Sequence, residues 1–171
     1  MQQIPDIFLS FSLRKLRLLA AHIDDCLSRL DDEKVWARSG ENANAIGNLV
    51  LHLCGNVRQW VVSGIGGEPD VRQRDAEFAA REAAPAGELR LLLEQTVGQA
   101  TAIIEKLPAN RLPEQLTIQG YSVTVLEAVY TVLEHFAQHT GQIIFATKLL
   151  TGSDLGYYAY LSQPGHSRRT P

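Results

Sequence analysis

The sequence predicts an all-α protein built as a bundle of four long helices, and three observations support this fold class. Apolar residues recur at alternating spacings of three and four along four segments, which is the period of an amphipathic helix. Residues that cap or break helices stand at the ends of these segments. The chain has 171 residues, enough for one domain with a substantial core. Long helices joined by loops assemble as a bundle.

The first two helices are expected over residues 5–31 and 44–63. Asn44 is the predicted N-cap of the second helix, because asparagine favours that position. Glycines and a proline within residues 64–69 end it. A seam with the spacing of a bundle interface runs along the first helix and comprises Leu9, Leu13, Leu16, Ala20, Ile23, Leu27 and Leu30.

The third and fourth helices are expected over residues 86–107 and 124–151. A proline directly after the third helix stops it, since proline cannot continue the hydrogen-bond ladder. Thr124 and Glu127 have the spacing of a capping box at the start of the fourth helix. Gly152 stands where a left-handed C-cap residue is expected.

Three connecting stretches have their own expected structure. The stretch at 68–87 is charged, and we expect a short helix there with Phe78 as its apolar anchor. The segment LTIQGYSVT at 116–124 predicts a short hairpin or an extended loop. Residues 153–162 carry three tyrosines and are expected to pack back on the bundle. The expected organisation is therefore one domain over 1–162, followed by a disordered tail over 163–171.

The composition restricts the classes of function. The apolar fraction of 45% and the charged fraction of 20% are ordinary for a soluble globular protein. The formal charge of −3 provides no basic surface overall, which argues against nucleic acid as the main partner. No apolar run approaches the roughly 18 residues of a membrane span.

The cysteines and the N-terminal residues favour the cytoplasm. Cys26 and Cys54 form neither a CxxC motif nor a disulfide framework, which fits a reducing compartment. In the N-terminal segment MQQIPDIFLSFSLRKLRLLA the basic residues follow the apolar stretch, whereas a secretory signal has them before it.

Two histidines on the fourth helix are the leading candidates for chemistry. His135 and His139 are four residues apart, so their imidazoles lie on one helical face, where two neutral rings can bind one divalent ion. Two partly buried histidines with ordinary hydrogen bonds are the other interpretation. His52 in the second helix is a third candidate ligand, although a lone histidine on an apolar helix is commonly a core residue. Three protein ligands would leave a coordination position open for chemistry.

A polar strip accompanies His52 on an otherwise apolar helix. Its members are Asn48, Gly55, Asn56 and Gln59. Buried polar groups need hydrogen-bond partners. A metal-bound water, a substrate, a dimer interface or solvent would each provide them.

Several known kinds of site are excluded by spacing. A zincin needs HExxH, and Phe136 occupies the glutamate position in HFAQH. A di-iron bundle needs Glu-x-x-His pairs, and the chain contains none. Gly-rich phosphate loops are also absent from the sequence. His22 remains a minor candidate for a fourth ligand, Cys54 points away from His52 as a structural thiol, and Glu134 is a solvated charge or an orienting carboxylate.

The sequence resembles a bacterial branch of the DinB/YfiT-like superfamily over residues 5–162. The resemblance rests on the segments NAIGNLVLHLCGNVRQW, RDAEF, VLEHFAQHTGQIIFATKLLTG and DLGYY. It implies a four-helix bundle, commonly dimeric, whose three histidines bind a divalent ion, usually zinc or nickel. By resemblance, these ligands are His52, His135 and His139. Related sequences carry a further histidine near position 131, where this chain has Thr131.

Two functional hypotheses follow from the residues and the resemblance. The first is a cytoplasmic metalloenzyme, a thiol transferase or hydrolase that acts on a small molecule, in keeping with the activities known in the superfamily. The residues expected to orient its substrate are Asn48, Asn56, Gln59 and Gln142. The second is a non-catalytic metal-binding or dimeric bundle with a regulatory or stress role, because no acidic or basic catalytic residue is visible beside the histidines.

Overall fold

The computed structural model describes residues 3–163 and Gly165. Four long helical segments make up its bundle, as the all-α prediction required. They are α1 (Ile4–Ser28), α3 (Ile46–Val57) continued by a π-helical segment (Arg58–Ile65), α5 (Ala86–Glu105) and α6 (Val125–Thr151).

Shorter elements connect these helices. They are α2 (Asp32–Trp36), α4 (Arg74–Ala79), 3₁₀ turns at Ala109–Arg111 and Ala159–Ser162, and the strands β1 (Gln115–Ile118) and β2 (Tyr121–Thr124). The two strands pair antiparallel as a hairpin, so the first of the two alternatives for LTIQGYSVT is correct. The short helix predicted before α5 is α4, and it contains Phe78. No helix within the described residues is long and apolar enough to cross a membrane.

The core forms where the apolar stripes of the four long segments meet. Most of the predicted α1 seam is buried, including Leu16, Ile23 and Leu27. Fully buried side chains of the other helices include Leu53, Val57, Leu89, Leu93, Phe136 and Ile143. Burial of such side chains stabilises the bundle by about 1.5–3 kcal/mol each. This core holds α3 and α6 side by side.

The second helix differs from its prediction at both ends. Asn44 is not the N-cap: Ala45 occupies that position, and the side chain of Asn48 accepts a hydrogen bond from the Ala45 N–H at 3.2 Å. Asn48 thus accepts the N–H of the N-cap residue itself, as the N3 glutamate of a capping box does, while Ala45 offers no side-chain acceptor to the first N–H groups of the helix. The helix also continues past residue 63 as a π-helix. Gly64 has no side chain there because a Cβ would lie 2.9 Å from Cγ1 of Ile118 in the hairpin.

The start and end of α6 agree with the sequence. Thr124 Oγ1 accepts the Glu127 N–H at 3.2 Å, and the Glu127 carboxylate accepts the Thr124 N–H at 2.6 Å. Gly152 adopts the left-handed conformation at φ 66°, which glycine reaches without steric cost. These caps fix the helix that carries two of the candidate ligands.

The segment after α6 packs back on the bundle, as expected. The Tyr157 ring stacks on His22 of α1 with centroids 4.1 Å apart. Its hydroxyl donates to Asp25 at 2.8 Å. The predicted disordered tail at 163–171 lies mostly outside the described residues, and so does His166.

Candidate metal centre

Three imidazoles converge between α3 and α6. His52 comes from the middle of α3, while His135 and His139 lie one turn apart on α6. The Nε2 atom of His135 is 3.0 Å from Nε2 of His52 and 3.1 Å from Nε2 of His139. Among the described residues this is the one group of three or more His, Cys, Asp or Glu whose ligand atoms all lie within 4.8 Å.

The spacing of the three nitrogens fits a divalent ion. Tetrahedral zinc with Zn–N bonds of about 2.0–2.1 Å places its nitrogen ligands about 3.3–3.4 Å apart. The observed separations of 3.0 and 3.1 Å are close to that value, so small ring rotations would complete the match. Imidazole is a donor that suits zinc and nickel, and three of them leave room for a further ligand.

Burial keeps the rings in the protonation state that metal binding needs. Burial, together with the neighbouring His139 and His52, lowers the pKa of His135 from 6.5 to about 4. Burial likewise lowers the pKa of His139, although the hydrogen bond to Gln142 opposes the shift. Both rings are therefore neutral near pH 7 and carry a lone pair.

Hydrogen bonds orient the rings of His52 and His139 so that their Nε2 lone pairs face the centre of the histidine group. His52 Nδ1 lies 3.0 Å from Oε2 of Glu77, and His139 Nδ1 lies 2.7 Å from Oε1 of Gln142. An oxygen acceptor at Nδ1 selects the tautomer with Nδ1–H, which leaves Nε2 free to bind a metal. His135 Nδ1 is buried without a partner among the described residues.

An ion pair between Arg72, which precedes α4, and Glu77 of α4 lies against His52 on the side away from the other two histidines' nitrogens. Arg72 donates from Nε to Oε1 of Glu77 at 2.8 Å and from its terminal nitrogen to Oε2 at 2.9 Å. Burial opposes ionisation of Glu77, yet the hydrogen bonds from Arg72 and His52 outweigh it and hold the pKa of the carboxyl below its ordinary value. Sequence analysis did not identify either residue, because no motif spacing links Glu77 to a histidine 25 positions away.

The polar strip of α3 docks the segment from Asp70 to Ala80. The Asn48 amide donates to the Glu77 carbonyl at 2.8 Å and to the Ala80 carbonyl at 3.0 Å. Gln59 donates to Asp70 at 2.7 Å and accepts from Arg72 at 2.9 Å. The strip therefore finds most of its hydrogen-bond partners within the chain itself.

The four residues expected to orient a substrate differ from one another in burial and in hydrogen bonding. The amides of Asn48 and Gln59 are engaged by protein groups. Asn56 lies one turn after His52 and is only 9% exposed, and its Oδ1 has no partner among the described residues. Gln142 is exposed beside His139. Substrate contact by any of the four stays a prediction.

The minor candidates lie elsewhere. His22 stacks on Tyr157 and does not belong to the histidine group. Cys26 and Cys54 are buried free thiols, and burial raises the pKa of Cys54 to about 12. Glu134 is exposed and accepts a hydrogen bond from Gln138. None of them is a candidate ligand in this geometry.

The rim of the site contains an aromatic ring and a cation. The Phe78 ring lies against His52 with centroids 4.6 Å apart. The guanidinium of Arg74 lies over the same Phe78 ring, 4.9 Å from its centroid. Arg74 forms no ion pair with a carboxylate in the described part of the chain. An exposed cation is thus held close to the three histidines.

Sequence comparison assigns the family. Residues 3–164 match the family described as "Protein of unknown function (DUF1572)". The chain belongs to the DUF1572 family. No curated protein matches the DUF1572 chain by sequence.

Solved structures confirm the fold. A DinB-like protein from Bacillus subtilis is 16% identical with a TM-score of 0.67, over 86% of the DUF1572 chain and 96% of its own. A conserved protein from Enterococcus faecalis is 12% identical with a TM-score of 0.70, over 90% and 100%. These likenesses show that the DUF1572 chain has the helical bundle fold of DinB-like proteins, as the resemblance implied.

One similar structure is that of an enzyme. It is the mycothiol-dependent maleylpyruvate isomerase, 20% identical with a TM-score of 0.64. The match covers 84% of the DUF1572 chain and 63% of the isomerase, so the isomerase is the longer protein. At this identity the likeness concerns the fold.

Proposed function

We propose that the protein is a metal-dependent enzyme that acts on a small molecule, with His52, His135 and His139 holding zinc or nickel. The observation that carries the proposal is the convergence of three Nε2 atoms with adjacent separations of 3.0 and 3.1 Å. A divalent ion bound by three protein ligands supplies a Lewis acid that makes a thiol or water more acidic. We propose that residues 1–162 act as one domain in the cytoplasm.

The chain's own residues prepare the site. Burial keeps His135 neutral, with a pKa of about 4. Glu77 and Gln142 accept the Nδ1 protons of the other two histidines and fix their ring orientations. The Phe78 ring covers one side of His52 and limits the access of water. A preorganised, partly water-excluded site is what catalysis by charge stabilisation requires.

Asn56 and Gln142 are the substrate-orienting residues that the geometry favours. Asn56 follows His52 by one helical turn on the same side of α3, and its buried amide oxygen lacks a protein donor. A substrate N–H or O–H would satisfy this acceptor, and an unsatisfied buried acceptor costs about 1–3 kcal/mol. Gln142 is exposed next to His139 and can meet substrate from the open side.

The charges around the site favour a substrate that carries an anionic group. Arg72 and Glu77 neutralise each other as a buried ion pair. The positive charge of Arg74 has no such counterpart among the described carboxylates, and Phe78 holds it near His52. A guanidinium is well suited to bind a carboxylate. The proposed substrate therefore contains a carboxylate within reach of Arg74.

A low-molecular-weight thiol is the proposed co-substrate, with thiol transfer favoured over hydrolysis. The name of the similar isomerase states dependence on the thiol mycothiol. The cysteines of this chain are poor candidates for the reacting thiol, because both are buried and burial raises the pKa of Cys54 to about 12. The thiol must then come from outside the chain.

We also propose that the protein is a homodimer. Three large apolar side chains stand out on α6: Tyr130, Phe145 and Leu149 are 62%, 66% and 70% exposed. Phe145 and Leu149 are one turn apart and present a continuous apolar surface. A second copy would cover such a surface, which single chains rarely leave open to water.

The test is a reaction screen on protein purified without a histidine tag and reloaded with zinc or nickel. Electrophiles from a panel are offered with and without small thiols, and consumption of both the thiol and the electrophile is followed. Turnover that depends on metal and is lost in His139→Ala supports the enzyme. Metal-dependent consumption of electrophile without thiol indicates a hydrolase. Stoichiometric metal without any turnover or thiol binding contradicts the proposal and favours the non-catalytic bundle.

A further inference from the structure

We infer that Glu77 is a positioning residue for the metal centre, held against His52 by Arg72 in a slot on α3 that exists because residue 55 is glycine. The inference rests on the proposed function, since it assigns to these residues control of a metal ligand. It concerns three residues outside the histidine group: Gly55, Arg72 and Glu77.

The first step is the contact between Glu77 and His52. Oε2 of Glu77 lies 3.0 Å from Nδ1 of His52, and the Glu77 side chain is only 10% exposed. If Nδ1 carried no proton, its lone pair would face the lone pairs of a carboxylate across that distance. The carboxylate therefore selects Nδ1–H, and Nε2 directs its lone pair at His135 and His139. Carboxylates that accept from a ligand histidine fix its ring and strengthen it as a donor.

The second step is the part played by Arg72. One of its terminal nitrogens lies 2.9 Å from Oε2 of Glu77 and 3.1 Å from Nδ1 of His52. A guanidinium only donates, and Nδ1–H also donates, so these two groups do not bond to each other. Arg72 instead holds Oε2 from one side while His52 donates from the other. Its side chain is only 4% exposed, and the pairing offsets the cost of burying the carboxylate.

The third step is the slot in α3. A Cβ at Gly55 would overlap Oε1 of Glu77, and it would lie 2.8 Å from Cδ of Glu77 and 3.0 Å from Nε of Arg72. Glycine lowers the stability of a helix interior by about 1 kcal/mol relative to alanine. Gly55 is nonetheless inside α3, three residues after His52, where the ion pair must approach the helix backbone.

The fourth step is the anchorage of α4. The Asn48 amide binds the backbone carbonyls of Glu77 at 2.8 Å and Ala80 at 3.0 Å. The backbone of Glu77 is thus fixed by Asn48 one turn before His52, and its side chain by Arg72. Two attachment points hold the carboxylate at one distance from His52, which is what a positioning residue requires.

The expected effect is a change in metal affinity rather than loss of the fold. Partners of metal-binding histidines typically contribute about 10–100-fold to affinity. Gly55→Ala forces the carboxylate away from His52 while leaving every histidine and Glu77 in the sequence. Glu77→Gln keeps an oxygen acceptor but loses the ion pair with Arg72. Glu77→Ala removes both.

The experiment measures zinc affinity by competition with a chelator in the wild type and these three variants. Gly98→Ala is the matched control, because Gly98 is helical and exposed on α5 with no atom within 4 Å of an added Cβ. We expect a weakening of about 10–100-fold in Gly55→Ala and Glu77→Ala, a smaller one in Glu77→Gln, and none in Gly98→Ala. Wild-type affinity in folded Glu77→Ala and Glu77→Gln overturns the inference, whether or not Gly55→Ala folds.

A spectroscopic readout separates positioning from general destabilisation. In metal-free protein labelled with ¹⁵N-histidine, His52 is expected to show a protonated Nδ1, and Glu77→Ala is expected to lose that preference while Gly98→Ala keeps it. A wild-type His52 protonated at Nε2 overturns the inference. If the wild type binds no zinc but shows the Nδ1 proton, the proposed function fails and the positioning contact stands.

Discussion

The Nε2 atoms of His52 and His135 lie 3.0 Å apart, although 83 positions separate the two residues in the chain. The apolar stripes of α3 and α6 bring the two helices together, and each helix then contributes an imidazole to the same point. His139 joins them because it follows His135 by one turn. The candidate metal centre is therefore a product of bundle packing. Substitution of one of its histidines is expected to weaken metal binding without unfolding the bundle.

Acidification is expected to release the ion. Burial lowers the pKa of His135 from 6.5 to about 4, and it lowers the pKa of His139 as well. Protons compete with the metal only when they can occupy these nitrogens, so affinity should fall as the pH decreases from 6.5 toward about 4. Zinc affinity measured across this range checks the prediction. Loss of half the ion above pH 6.5 would contradict it.

Replacement of Arg74 is expected to remove a preference for ligands of the metal site that carry a carboxylate, for which a small thiol acid serves as the probe. In the metal-loaded protein, 3-mercaptopropionate should bind more tightly than 2-mercaptoethanol because its carboxylate can pair with Arg74. Arg74→Gln should reduce the ratio of the two affinities about 5–10-fold, the value of one charge-assisted hydrogen bond at a partly exposed site. Arg14→Gln is the control, since Arg14 stacks in the same manner on Phe11, 5.7 Å from its centroid. An unchanged ratio in Arg74→Gln would exclude Arg74 from substrate binding.

The two cysteines are expected to be unreactive while the protein is folded. Both thiols are buried, which hinders access of a reagent, and burial raises the pKa of Cys54 to about 12, so Cys54 forms almost no thiolate at neutral pH. Iodoacetamide should label Cys26 and Cys54 only after unfolding in denaturant. Labelling of either residue in native protein, at the rate of a free thiol, would reopen the possibility that the chain supplies its own nucleophile.

A polar substitution on the outer face of α6 is expected to weaken association. Phe145 is 66% exposed, and Phe145→Ser should shift sedimentation at micromolar concentration toward the monomer. Leu91→Ser on α5 is the control, because Leu91 is also exposed, at 56%, but lies on another helix. Since all three histidines belong to one chain, metal content should not change. A wild-type protein that sediments only as monomer would exclude the proposed homodimer.

The sequence was most informative where the decisive interactions are local. The capping box of Thr124 and Glu127, the left-handed Gly152 and the histidine pair on α6 depend on residues within one or two turns, and each was predicted. The start of α3 was not, because Ala45 rather than Asn44 is the N-cap, and the Asn48 side chain accepts the Ala45 N–H from inside the helix. Local patterns cannot distinguish these two arrangements.

The support of His52 could not be predicted because it depends on contacts between distant segments. The polar strip on α3 indicated that its hydrogen-bonding groups need partners. Solvent, substrate, metal-bound water and a second copy of the chain were all compatible with the pattern. The structure shows that the segment carrying Arg72 and Glu77 fills most of it. The need for glycine at position 55 is explained only by that segment, because the absence of a Cβ leaves room for Glu77.

The central claim is that His52, His135 and His139 bind one divalent ion, and metal content measures it most directly. Protein purified without a histidine tag, reloaded with zinc or nickel and freed of excess ion should retain one ion per chain. His135→Ala and His139→Ala should retain almost none, because two imidazoles hold an ion weakly. His22→Ala should equal the wild type, since His22 stacks on Tyr157 away from the three rings. A wild type without bound metal, or a folded His135→Ala that keeps its ion, would contradict the account.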